Sequence, residues 1–176
     1  MNWNIRPARQ EDLAYLSALM NQAYRSNAGQ SWTNETAIVE GARISYEQLV
    51  DNVRHPKFKL WVLENHVHQP QQIYGCIGLT LNADKVKIGS FCVDPFQQNM
   101  GLGRALLNFA EQHVRKNYSA VQRLEMYVLS VRAELIAFYE RCGYVQTEHI
   151  EAYPVDANVG MPLVDLHLVH LNKKLS

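Results

Sequence analysis

The chain has 176 residues, 47% of them hydrophobic, which suits one packed domain spanning 1–176. Lysine plus arginine and aspartate plus glutamate balance at 17 each, so the general positive charge of a nucleic-acid-binding domain is missing. No run of about 18 apolar residues exists to cross a membrane, and the opening Met1-Asn2-Trp3-Asn4-Ile5-Arg6-Pro7 lacks the apolar core of a secretory signal.

Hydrophobic periodicity predicts the elements in chain order. Residues 4–8 read as a strand. Glu11-Asp12 opens a helix to residue 25, with Leu13, Leu16, Leu19, Met20 and Ala23 on its buried side. Ser45 caps a helix to residue 53. Strands follow at 59–64 and 72–82, and Asn82-Ala83-Asp84 turns tightly into a strand at 86–93. A long helix covers 103–118, its Gly103, Leu107, Ala110 and Val114 facing inward and its Arg104, Asn108, Glu111 and Arg115 facing water or ligand. A strand at 123–129, a helix at 133–141 and strands at 144–150 and 166–172 complete the order. Leu135, Phe138 and Cys142 form the core-like face of the last helix, and Gly143 is placed to end it in a left-handed conformation. Cys76, Cys92 and Cys142 are odd in number and lie in apolar patterns, which reads as buried free thiols in a reducing, cytoplasmic setting. None of the seven histidines has a zinc-ligand spacing; His55, His66 and His68 read as solvated loop residues, and no metal is expected.

The stretch from Val93 to Leu107 carries the chemistry. It is a strand end, a Pro95-marked exit, a loop with Gly101 and Gly103, and an immediate amphipathic helix. The first amides of a helix have no intrahelical partner and carry partial positive charge. Glycines let an anion approach that backbone without a Cβ in the way, so the arrangement suits a phosphate. Gln98 and Arg104 add donors. A P-loop would need Gly-Lys-Ser/Thr, where this chain has Gly103-Arg104-Ala105; a dinucleotide fingerprint would need a third glycine, where it has Leu106.

The order Gln-x-x-Gly-x-Gly-Arg behind Val-Asp-Pro resembles the acyl-CoA loop of the GNAT superfamily of N-acetyltransferases. Residues 128–144, Val-Leu-Ser-Val-Arg-Ala-Glu-Leu-Ile-Ala-Phe-Tyr-Glu-Arg-Cys-Gly-Tyr, resemble its second signature, a strand, a helix bearing Phe-Tyr, and Gly-Tyr opening the next strand. The resemblance covers essentially the full length. It implies an α/β (α+β) fold: one domain with a mixed, mostly antiparallel sheet of about seven strands, splayed at the parallel pair and flanked by helices. Backbone groups exposed in that gap are left to bond a ligand. It implies acetyl-CoA as cosubstrate, held by Phe91, Cys92, Val93, Gln98, Asn99, Gly101, Leu102, Gly103 and Arg104, with the Val93 amide polarising the thioester carbonyl. Tyr139 would protonate the leaving thiolate.

At position 132 the family often carries Asn, and this chain has Arg132, suited to a CoA phosphate, an anionic acceptor group or a surface role. The base is sought among Glu35, Glu40 and Glu125, with solvent water as the alternative. Glu125 stands mid-strand, opposite in face to Leu124 and Met126. The acceptor, a primary amine of a small molecule or peptide, is expected against residues 29–43. There Trp32 and Glu35 suit a cationic amine, whereas Arg43 suits a carboxylate. The loop over 150–165 is long enough to close over it. A catalytically silent acyl-CoA-binding sensor is the alternative to an enzyme, and a homodimer is compatible with either.

Overall fold

The computed structural model describes residues 3–27, 34–65 and 72–175. Among them lie β1 (Trp3–Pro7), α1 (Leu13–Arg25, led in by a 3-10 turn at Gln10–Asp12), β2 (Val39–Glu40), α2 (Tyr46–Arg54), β3 (Phe58–Asn65), β4 (Gln72–Asn82) and β5 (Lys85–Val93). Then come α3 (Leu102–Asn117), β6 (Arg123–Leu129), α4 (Ala133–Arg141), β7 (Val145–Ala152), β8 (Met161–Pro162) and β9 (His167–Lys174). Every element predicted from periodicity is present, its ends displaced by a residue or two. The two-residue strands β2 and β8, which pair with each other, are too short to show a period.

Seven strands form one sheet in the order β1-β3-β4-β5-β6-β9-β7. All neighbours are antiparallel except β5 and β6. Alternation along the strands divides the apolar residues between two faces. Leu63, Ile77, Val86, Phe91, Val93, Leu124 and Met126 meet α3 and α4 through Leu106, Leu107, Ala110, Val114 and Tyr139. Leu60, Val62, Cys76 and Cys92 meet α1 and α2 on the opposite side, through Leu13, Leu16, Leu19, Met20, Ala23 and Leu49. Ser45 caps α2 reciprocally: its Oγ accepts from Gln48 N at 3.1 Å while Gln48 Oε1 accepts from Ser45 N at 2.7 Å.

Two local features open the sheet at its centre. The β4–β5 register slips between Cys76 and Gly78, giving β5 an extra residue. Ser90 sits there at φ 44, and a bulge of this kind bends its strand. The parallel β5–β6 pairing accordingly stops after Lys85–Lys87 against Arg123–Glu125. From Ile88 to Val93 the β6-facing edge of β5 has no strand partner among the described residues.

Two sequence expectations need correction. Glu111, expected to face water or ligand, is buried at 6% exposure. It is tolerated there because Lys173 Nζ donates to its Oε2 at 2.7 Å and Tyr144 Oη to its Oε1 at 3.4 Å. On α4 the buried residue is Tyr139, while Leu135, Phe138 and Cys142 are only partly covered, because they border an open cavity or the helix end rather than solid core. Gly143 does end α4 at φ 90.

Candidate active site

Asp94 leaves β5 with its N–H donating to Tyr74 O at 2.8 Å. Its buried carboxylate accepts from Phe96 N at 2.9 Å, and its carbonyl accepts from Gln97 N at 2.8 Å, fixing a tight turn. Asn99 and Gly101 then adopt left-handed conformations, φ 66 and 75, which aim the chain into α3. The helical ladder begins with Ala105 N donating to Gly101 O at 3.0 Å. The amides of Leu102, Gly103 and Arg104 precede it and are therefore open to an anion.

Beside this loop lies a cavity of about 210 Å³. It brings together Phe91, Cys92, Val93, Gln98, Asn99, Gly101, Leu102, Gly103, Arg104 and Tyr139, joined by Gln97, Leu135 and Phe138. Neighbouring amides of a strand point to opposite edges. Because the Asp94 N–H bonds β4, the Val93 N–H points into the β5–β6 gap. By the same alternation Phe91 O faces the gap, and there it accepts from the Tyr24 hydroxyl at 2.6 Å.

Tyr139 is 7% exposed, and its ring centre lies 6.3 Å from that of Phe91. Burial, reinforced by Cys142 and only partly offset by Arg132, holds its hydroxyl well above the usual tyrosine range. The hydroxyl makes no hydrogen bond among the described residues.

The family model for the acetyltransferase (GNAT) family matches residues 17–144. The chain belongs to the GNAT acetyltransferase family. Solved structures agree in fold at low identity. The ribosomal-protein-S18-alanine N-acetyltransferase of Escherichia coli superposes with a TM-score of 0.71 at 20% identity, covering 99% of this chain and 94% of that one. Spermidine N-acetyltransferase of Vibrio cholerae, solved with CoA and spermine, gives 0.71 at 15%, covering 99% and 96%. An N-acetyltransferase of Staphylococcus aureus Mu50 gives 0.72 at 14%, covering 99% of each. No curated protein matches the chain in sequence. This GNAT domain suits its family's cosubstrate, acetyl-CoA: a Cβ added to Gly101 would meet nothing and one on Gly103 only distant side chains, so the backbone at the start of α3 is unobstructed.

On the other side of the gap the GNAT core carries a charged network. Arg132 is the N-cap of α4 and is 6% exposed, which removes the surface role. Its Nε donates to Glu134 Oε1 at 2.6 Å, its Nη1 donates to Asn34 O at 3.2 Å, and Glu35 Oε1 lies 3.9 Å away. Burial, the largest single influence, disfavours the Glu134 carboxylate, but the Arg132 hydrogen bond, a backbone hydrogen bond and the Arg132 charge together hold Glu134 below the ordinary range. Glu35 also pairs with Arg25, whose Nη2 donates to Val159 O at 2.9 Å and Nε to Gly41 O at 3.0 Å. This ties α1, residues 34–41, α4 and the loop before β8 into one wall. Arg43 stands beside it, its guanidinium 5.3 Å from the centre of the Tyr24 ring. Trp32 lies outside the described residues.

Glu125 is elsewhere. It is opposite Lys87, where β5 and β6 still pair, and does not line the cavity. Lys85 Nζ lies 3.0 Å and His170 Nε2 3.3 Å from its Oε2. Glu40 is exposed on β2. Tyr24, Arg25 and Glu134 escaped sequence reasoning. The available signal for Tyr24 was its place one turn beyond Met20 on the buried stripe of α1.

Proposed function

We propose that the protein transfers an acetyl group from acetyl-CoA to a primary amine of a small molecule or peptide by direct attack. The observation that carries this reading is one cavity lined by three parts: a glycine loop at a helix start, Val93 at the end of β5, and Tyr139. The α3 amides with Gln98 and Arg104 bind the CoA phosphates. The free edge of β5 bonds the amide-bearing pantetheine arm as an added strand would. The Val93 N–H then receives the thioester carbonyl oxygen and holds the oxyanion that forms when the amine attacks. Collapse expels the CoA thiolate, and Tyr139 gives it a proton. Glu35 and Glu125 are both engaged by cations, which favours water as the destination of the amine proton. The likeness to enzymes named for spermidine and for an alanine of ribosomal protein S18 supports an amine acceptor. The free thiols of Cys76, Cys92 and Cys142 support a reducing, cytoplasmic setting.

Tyr139→Phe tests the reading because it keeps the ring and removes only the proton donor. Thiol release with a panel of amines should show kcat down by about 10²–10⁴-fold with KM for acetyl-CoA and thermal stability nearly unchanged. A stable variant with undiminished kcat would remove Tyr139 from the mechanism. CoA binding without thiol release from any amine would leave an acyl-CoA-binding module instead of an enzyme.

A further inference from the structure

We propose that Arg43 reads a carboxylate on the acceptor, so that the preferred substrate is a compact amino acid rather than a polyamine. The inference rests on the acetyl-transfer reading above and names the substrate class of that same site.

Its first support is position. The Tyr24 hydroxyl caps Phe91 O at the open gap, and the Arg43 guanidinium lies over the ring of that same tyrosine. The Arg43 charge therefore lies against the same tyrosine that bonds the open edge of β5, two residues before Val93. Its backbone is pinned there, with Arg43 N donating to Asn21 Oδ1 at 2.7 Å.

Its second support is charge balance. Three arginines, Arg25, Arg43 and Arg132, share this wall with two glutamates, Glu35 and Glu134. Both glutamates are taken by Arg25 and Arg132. Among the described residues Arg43 pairs with no carboxylate, and residues 28–33 nearby in sequence contain no acidic side chain. Glu40 alternates with the buried Val39 and stays exposed. The acceptor side therefore presents one uncompensated cation, and a guanidinium fork matches a carboxylate. A polycation would meet a positive wall whose only buried carboxylate is already neutralised. A small α-amino acid would place its carboxylate at Arg43 with its amine toward Val93.

The test measures thiol release from acetyl-CoA with each free amino acid, its carboxamide, and spermidine. For the best amino acid, kcat/KM should exceed that of its carboxamide by about tenfold to a hundredfold, the range of one charge-assisted contact. In Arg43→Gln that ratio should fall to near one, with CoA affinity by calorimetry reporting that the variant is folded. Carboxamides or spermidine used as well as the acid by the wild type, or a preference that survives in Arg43→Gln, would overturn the Arg43 assignment while leaving acetyl transfer standing. No thiol release from the wild type with any amine would instead overturn the transfer reading, and the inference with it.

Discussion

A Cβ built on Gly103 would meet Phe91 Cζ and Val93 Cγ2 at 3.8 Å, ordinary contact distance. The fold therefore tolerates a side chain there, and on the proposed reading what it disturbs is the phosphate site. Gly103→Asp should weaken CoA by about 2–4 kcal/mol, the repulsion of near charges under partial screening, with little change in melting temperature. Unaltered affinity by calorimetry would show that the phosphates bind elsewhere. The raised pKa of Tyr139 has a kinetic counterpart. Its proton is retained past the ordinary tyrosine value of 10.0, so kcat/KM should climb as the acceptor amine deprotonates and show no descending limb below pH 10. A limb near pH 8 or 9 would mean that the acid is another group. That these residues belong to two motifs was legible because each motif is contiguous in sequence, and both motifs line the cavity. The partners of Arg132 were not legible: its bond to Asn34 O spans 98 positions, and no local pattern encodes such a meeting.

In β5, one extra residue lies where the pairing with β6 has stopped, beside the cavity. Ser90 at φ 44 is strained for any residue with a Cβ, and most for a β-branched one. Its carbonyl accepts from Cys76 Sγ at 3.2 Å, which holds the bulge against β4. Ser90→Val should destabilise the protein by about 1–3 kcal/mol and lower CoA affinity, whereas Ser90→Gly should keep both. Urea unfolding with calorimetry distinguishes them, and a valine variant with normal stability and affinity would mean that the bulge does not set the gap. The Gly89-Ser90 pair inside an apolar run is the signal of such an irregularity, but a period-two pattern alone cannot say on which side a strand loses its partner. Glu111 illustrates the same limit in a helix. Its spacing on α3 is that of a solvated position, and only the arrival of Lys173 and Tyr144 makes its burial affordable.

Across the whole molecule, the two apolar faces were legible because strand alternation and helix stripes are local properties. The insertion of β9 between β6 and β7 depends on pairing Arg123–Leu129 with Leu168–Lys174, which links distant segments. A polar cluster performs a similar long-range tie at the first edge of the sheet. Arg6 Nε donates to Glu64 Oε2 at 2.8 Å, and its Nη1 and Nη2 donate to Asp12 at 2.7 and 3.1 Å, joining β1, β3 and the start of α1. Arg9 N adds a bond to Asp12 Oδ2 at 2.7 Å. Burial by itself raises the Asp12 pKa, but the Arg6 and Arg9 bonds outweigh it and hold the carboxyl below its ordinary 3.8. A group whose pKa is depressed by folding stabilises the protein fully above its unfolded value. That stabilisation is lost as pH falls through the folded value. Asp12→Asn should therefore cost about 1–3 kcal/mol at pH 7. The gap between wild type and variant should stay constant down to about pH 4 and close at lower pH, as the wild-type carboxyl takes up its proton. Urea unfolding of both proteins from pH 7 to pH 2 measures it. A gap that persists undiminished at the acid end would show that Asp12 acts by shape and hydrogen bonding, and that its charge contributes nothing to joining these elements.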